Sequence, residues 1–312
     1  MSTVQALFNV VLVIMIVSTM FTAGLGITLH QLGMTFRQIG LVVLVVLANL
    51  VVVPLLGWGF AALFSLTTSA YIALVLIASS PGGPFGAKLA MIQRGDVVAG
   101  ASMQVLLAAI GSVTFAPTAN GILKAAKVGG GISLPVGNLI KTVVFLQLVP
   151  FLIGLAIRHW APETAEEWRP FSQKTSTLTL LLVLAGALLG SWRQIVALFG
   201  SSTLLAGLLF TVAAMVAGGL LATGARETRT TLALVAPVRN SGPVFAAVGI
   251  AFHNSPKMLG AVTAITVVQL VIAVPVAAYL AKSRQPVEAP APPATTAAVA
   301  SSSTPPAAVR DR

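Results

Sequence analysis

From Leu7 to Leu29, and again from Gln38 to Ala87, the chain carries no charged side chain. At about 1.5 Å of rise per residue, some 20 helical residues cross the ~30 Å hydrocarbon layer of a bilayer. Both runs are long enough, and similar apolar runs recur to about residue 281. A soluble domain covers its surface by making about a quarter of its residues charged. Here 8% are charged and 57% are hydrophobic, so the surface must meet something apolar. Recurrence of the runs argues against a cleaved leader on a soluble domain. The first run also has no basic segment ahead of it, so it reads as a retained helix.

Nine hydrophobic passages follow, at roughly 7–29, 38–64, 69–93, 96–123, 135–158, 175–191, 202–223, 229–253 and 257–281. Each is read as a helix, because hydrocarbon offers backbone N–H and C=O groups no partner outside their own segment. A transmembrane β-barrel would show short segments of alternating hydrophobicity, and the sequence has none. Basic residues are uneven between the two ends of the passages. One side collects Arg37, Arg94, Arg158, Arg169, Lys174, Arg226, Arg229, Lys282 and Arg284; the other has Lys124, Lys127, Arg193 and Lys257. The richer side belongs in the cytoplasm, which puts the N-terminus outside and the C-terminus inside. Residues 283–312, rich in Pro, Ala, Ser and Thr, read as a disordered cytoplasmic tail. Residues 159–174 read as the longest polar connection, dividing the chain into halves of about four passages, with Trp160 and Trp168 at headgroup level.

The net charge of +11 does not imply nucleic acid, because the bases are scattered between apolar segments and form no stripe. The partners expected are the bilayer and a small solute. No cysteine is present, which excludes disulfides and thiolate sites. His30, His159 and His253 lie near passage ends at no ligand-like spacing, so no metal site is expected. The intramembrane hydroxyls Ser80, Ser102 and Ser241 have no buried base to activate them, so no enzyme is expected either.

Two passages are interrupted. The third contains Ser80-Pro81-Gly82-Gly83-Pro84-Phe85-Gly86-Ala87-Lys88, and the eighth contains Pro237-Val238-Arg239-Asn240-Ser241-Gly242-Pro243. Proline removes a backbone donor and clashes with the preceding turn, and glycine permits non-helical dihedrals. Together they predict a broken helix in each passage, with bare backbone groups at membrane depth. Such groups are tolerated only where protein buries them or a cavity exposes them. Gly83-Pro84 and Gly242-Pro243 each suit the start of a second half-helix, since proline is at home in a first turn. Ordinary proline kinks are the alternative. Paired broken helices in the two halves of a chain point to the binding site of a secondary transporter.

These motifs resemble the bile acid:sodium symporter family. The likeness rests on Ser80-Pro81-Gly82-Gly83, the polar turn Arg94-Gly95-Asp96, Arg239-Asn240-Ser241-Gly242 and the early Gly24-Leu25-Gly26-Ile27-Thr28-Leu29, and it spans about residues 7–282. It implies an all-α polytopic membrane protein with inverted repeats, two crossing discontinuous helices, and core and panel domains. On that pattern this chain is a nine-helix version over residues 1–282. Its panel lies at about 1–34 and 135–195, and its core at about 36–123 and 201–282. The resemblance further implies secondary transport of organic anions by alternating access with sodium, and a bacterial plasma membrane is the expected location.

The departures from that pattern bear on sodium. The family's sodium sites use a Ser-Asn pair soon after Pro-Gly-Gly, where this chain has Gly86 and Ala87. Hydroxyls of the next helix correspond to Gly100 and Gln104, and a glutamate and a glutamine of the eighth passage to Val235 and Arg239. A glutamine of the second passage corresponds to Asn49. Most oxygen ligands are gone and two cations, Lys88 and Arg239, have been added. A charged residue inside a span costs at least ~2.5 kcal/mol and normally marks function. The seven acids all fall at passage ends, loops or the tail, so neither cation has an acidic partner to hand. Lys88 and Arg239 are therefore expected either to bond half-helix carbonyl ends in place of the coupling ions, or to face an anionic substrate. A lysine stem reaching the interface is the plainer reading of Lys88. The favoured function is a sodium-independent carrier of a small organic anion, with no cofactor. Competing readings are a sodium symporter of the same fold using Asn49, Gln104, Asn240 and backbone carbonyls, and a channel or sensor.

Overall fold

The computed structural model describes residues 3–83, 85–128, 134–190 and 192–283, and every regular element among them is a helix. Helix α1 (Thr3–Leu25) leads into α2 (Leu29–Arg37), whose start is fixed by a reciprocal capping box between Thr28 and Gln31. Next come α3 (Ile39–Leu47), a π-helical turn (Ala48–Val52) and α4 (Val53–Leu63) as one continuous rod. The third passage is α5 (Thr68–Ser79) and α6 (Gly86–Ile92), followed by α7 (Val97–Ala125). Then α8 (Val136–Val143) passes through a second π-helical turn (Val144–Leu148) into α9 (Val149–Trp160). The remainder is α10 (Pro162–Gly190), α11 (Trp192–Val196), α12 (Ser202–Leu221), α13 (Arg226–Val235), α14 (Ser241–Phe252) and α15 (Pro256–Lys282).

Five of these rods are long and apolar enough to cross a membrane: Ala6–Leu25, Ile39–Leu63, Val97–Ala125, Ser202–Leu221 and Pro256–Lys282. Helix α12 shows how such a rod divides its surface. Leu205, Leu208, Val212, Val216 and Leu220 recur every three or four residues and are exposed, while Ala206, Gly207, Phe210, Ala214 and Gly218 between them are buried. Apart from Phe210, large apolar side chains face the surroundings and small ones face the neighbouring helices, as membrane helices pack. At Gly218 an added Cβ would lie 2.5 Å from the Ala236 Cβ. The protein is an integral membrane protein.

One reading of the sequence is overturned. Residues 159–174 are not a polar connection: α9 runs to Trp160, and α10 starts at Pro162 and continues to Gly190 through Pro170. The cause is local. Proline at the first helical position and Glu163 in the first turn favour a helix start. Ala165 and Ser172 then fall on one buried face. On that face Ser172 pairs with Thr22 and Ser176 with Thr19, each at 2.6 Å, so hydroxyls join α10 to α1. Helices α1, α9 and α10 pack together as one group. The α1–α9 crossing brings backbones into contact, since an added Cβ at Gly24 would lie 2.2 Å from the Phe151 carbonyl. Helices α4, α5, α6, α7, α12, α13 and α15 form a second group.

Asp96 fixes the end of the second group where α6, α7 and α13 meet. It caps α7 by accepting from Ala99 N–H at 2.9 Å and accepts from Thr228 Oγ1 at 2.7 Å. Its own N–H donates to Thr231 Oγ1 at 3.1 Å, and Gln93 Nε2 donates to the same hydroxyl.

Candidate functional site

The third passage stops being helical after Ser79, and the eighth after Val235. The two breaks meet. Asn240 N–H donates to the Ser80 carbonyl at 2.9 Å, and Ser80 Oγ donates back to the Asn240 carbonyl at 2.7 Å. Glycine makes that approach possible. A Cβ on Gly83 would lie 2.1 Å from the Val238 carbonyl oxygen, and one on Gly82 would lie 2.2 Å from Ala108 N. Gly82 also has φ of +76°, a left-handed conformation that side chains disfavour. Pro81 and Pro237 remove donors within the breaks, and Pro81 packs on Gly111 of α7. Pro84 lies outside the described residues. The second half-helices start differently: α14 begins at Ser241, with Gly242 and Pro243 in its first turn, whereas α6 begins only at Gly86.

Arg239 lies inside this crossover, with 2% of its surface exposed. Its Nη1 donates to Asn49 Oδ1 at 2.6 Å and to the Ala236 carbonyl at 3.2 Å. Its Nη2 donates to the Asn49 carbonyl at 3.0 Å and the Ala78 carbonyl at 2.8 Å. Ala78 and Ala236 belong to the C-terminal ends of α5 and α13, where helix carbonyls lack intrahelical partners and carry partial negative charge. One guanidinium thus satisfies the ends of both interrupted helices. Asn49 reaches it from the first π-helical turn, upstream of Pro54; such turns often mark functional sites. The second π-helical turn supplies a parallel contact, from Asn240 Nδ2 to Gln147 Oε1 at 3.3 Å. In the sequence Gln147 stands out only as a polar residue within an apolar passage. Its place three residues before Pro150, with Asn49 five before Pro54, is the signal that could have found it.

Lys88 is elsewhere. It is exposed on α6 and lines a cleft of about 110 Å³ between α1 and α10 on one side and α6 and α7 on the other. It does not join Arg239 at the helix ends, so of the roles expected for Lys88 the bonding of carbonyl ends is not seen. The late start of α6 at Gly86 carries Lys88 away from the break. Gln104 lines the same cleft, as do Arg169, Thr19, Thr22 and Ser176. These last four played no part in the site read from the sequence. Thr19 with Thr22 and Ser172 with Ser176 are spaced as facing rungs of two helices, a pattern the sequence does contain.

A model described as the sodium bile acid symporter family matches residues 13–198, more than half of the chain. The chain belongs to that family. It is therefore a membrane transporter of the bile-acid-symporter type, and its ligand is a small solute. The match takes in the first break but ends before α12, so the second break stands on its own geometry. Comparison with curated proteins gives no significant match.

The family's sodium raises a question of fit, and the residues present do not fit it. Gly86, Ala87, Gly100 and Val235 offer no side-chain oxygen. A Cβ on Gly86 would lie 3.0 Å from Gln104 Oε1, and one on Gly100 would lie 3.0 Å from Thr231 Cγ2, so neither position opens onto free space. Val235 is buried in an apolar cluster with Leu41, Met103 and Leu232. Asn49 keeps its amide oxygen, but Arg239 donates to it. A hard cation needs several oxygen ligands, and the protein's own guanidinium already engages the oxygens of Asn49, Ala78 and Ala236 at the crossover.

Proposed function

We propose that this protein carries a small organic anion by alternating access, without sodium, and that Arg239 takes the place of a coupling cation. The observation that carries the reading is the set of four hydrogen bonds from Arg239 to Asn49, Ala78 and Ala236. A positive charge is needed there to neutralise two converging helix C-termini. In a sodium-coupled carrier it arrives and leaves with the ion. Here it is covalent, so the crossover is charged in every state of the cycle.

The moving parts in this reading are the two helix groups, a panel built on α1, α9 and α10 and a core that carries both breaks. The cleft holding Lys88 lies on the seam between them, where a substrate touches both. The abundance of basic residues near one set of helix ends puts this cleft on the cytoplasmic side, with the N-terminus outside. Lys88 supplies attraction for an anion, and the membrane location expected is a bacterial plasma membrane.

The test is uptake into liposomes containing the purified protein, in sodium and in choline media. A thermal-unfolding screen of organic anions, with and without sodium, identifies the substrate first, since a ligand that binds the folded state raises the melting point by mass action. Uptake equal in the two media is expected. A strict sodium requirement would refute the sodium-free reading, and single-channel conductance would refute the carrier.

A further inference from the structure

Two cations in the cleft have no counter-charge. Lys88 stands on α6 and Arg169 on α10, on opposite sides of the seam. Among the described residues neither makes a hydrogen bond or ion pair, and no aspartate or glutamate lines the cleft. The acid best spaced to pair with Arg169 is Glu166, one turn away on the same helix face. It bonds Arg158 of α9 instead, at 3.0 Å. The Arg169 guanidinium lies against Gly26 at the end of α1, where an added Cβ would stand 3.2 Å from Nε. A side chain at position 26 would crowd that group, so the glycine leaves it room beside the cleft.

The cleft is also lined by the hydroxyl-bearing residues Thr19, Thr22 and Ser176. Thr19 and Thr22 donate to the carbonyls of Met15 and Ser18 and pair with Ser176 and Ser172, so these hydroxyls are bonded within the protein and the charge for a ligand comes from the two cations. The cleft of about 110 Å³ is also small beside the ~300–1,000 Å³ of pockets that take drug-sized molecules.

We infer that the cleft binds a small dianion, such as an α,ω-dicarboxylate of a few carbons, with one end on Lys88 and the other on Arg169. The inference takes the cleft as the substrate site of the carrier described above, and adds Arg169 and the charge of the ligand. A monoanion leaves one cation unpartnered in a half-enclosed site; a dianion satisfies both. The guanidinium's planar fork matches a carboxylate in a way that a lysine does not. Because the two cations sit on different helix groups, a dianion also ties those groups together, so the ligand itself draws the seam closed.

The experiment uses the full chain in phosphatidylcholine nanodiscs at neutral pH, where both carboxyl groups are ionised. Binding is read by thermal unfolding for succinate, glutarate and adipate, each against its own monoamide, and for inorganic phosphate. At least one diacid should bind about tenfold or more tightly than its monoamide, the loss of one full charge–charge contact. Arg169→Gln and Lys88→Gln should each bring that ratio near unity, and Arg169→Lys should restore much of it. Both side chains are unbonded, so these variants should fold. Equal affinity for diacid and monoamide, no diacid binding at all, or a ratio that survives both glutamine variants would overturn the inference. Phosphatidylglycerol in the nanodisc separates a lipid headgroup from a free dianion. If it stabilises the wild type but not Arg169→Gln, the cleft takes headgroups and the inference fails. Uptake of the same diacids distinguishes this claim from the carrier reading. Selective binding without uptake sinks the carrier and spares the dianion site; uptake without selectivity does the reverse.

Discussion

At the second break Arg239 is buried and spends two nitrogens on four oxygens, whereas Lys88, just past the first break, stands exposed with no partner among the described residues. Both are cations at or just beyond a break in a span, yet their surroundings differ. A buried charge that goes unbonded destabilises the fold, and of the Arg239 guanidinium nitrogens Nε alone lacks a partner among the described residues. Once bonded to the protein such a charge has little left for a ligand. An exposed, unbonded cation in a cleft costs little to keep and stays available. The comparison therefore separates a group that holds the crossover together from one that is free to meet the substrate in the proposed carrier. Variants can be ranked by how much of the fold each removes.

Arg239→Ala should do the most damage. It strips hydrogen-bond partners from the ends of α5 and α13 and from Asn49, inside a region that excludes water. Hydrogen bonds to charged groups contribute ~1.5–3 kcal/mol each, so a loss of more than ~4 kcal/mol is expected even without additivity. Little monodisperse protein should survive purification. Arg239→Gln sharpens the point. It leaves the carbonyls of Asn49, Ala78 and Ala236 and the Asn49 amide converging on a space that a small cation could enter. The variant's unfolding midpoint should rise with sodium chloride and not with choline chloride, while the wild type responds to neither. A wild type stabilised by sodium would show that Arg239 does not replace the ion.

Gly83→Ala comes next. Its Cβ would press on the Val238 carbonyl at 2.1 Å, backbone against backbone, with no flexible side chain to yield. The breaks must part or shift, at a cost on the order of 3 kcal/mol, the upper end for overpacking. The unfolding midpoint should drop and uptake should fall with it. Ser80→Ala is milder. It removes one hydrogen bond, to the Asn240 carbonyl, and spares the reciprocal backbone bond. About 1 kcal/mol is the expected loss, again read as a lowered midpoint.

Much of this arrangement was legible in the sequence, and the exceptions have physical causes. The breaks follow from local chemistry: Pro81 directly followed by Gly82 and Gly83 strongly disfavours a continuous helix, and Pro237 does so before Arg239. For Arg239 the sequence left two roles open, bonding helix-end carbonyls or facing an anion, and only the fold shows it on the carbonyls of Asn49, Ala78 and Ala236. The position of Lys88 did not follow. It depends on where α6 starts, and a shift of two residues turns a helix face by about 200°. Arg169 was hidden by composition. The charged stretch from Glu163 to Lys174 looks like a loop when hydropathy is the only guide, and only the buried face of Ala165 and Ser172 shows it to be membrane-end helix. A basic residue counted as an interfacial anchor thereby lines the cleft.

The smallest effect on folding should come from Lys88→Ala, and that is what makes it informative. The side chain is exposed and unbonded, so its removal should shift stability by no more than ~0.5 kcal/mol, as for an ordinary surface change. Expression, monodispersity and the unfolding midpoint without ligand should match the wild type. Anion-induced stabilisation and liposome uptake should nevertheless be lost, because half of the attraction in the cleft has gone. Lys88→Arg should recover part of both, since the charge returns with a longer reach and a different fork. If Lys88→Ala instead unfolds the protein, the lysine bonds the crossover after all and the contrast with Arg239 collapses. If it folds and transports normally, Lys88 only anchors α6 at the membrane interface, and the anion must be held by other groups of the cleft.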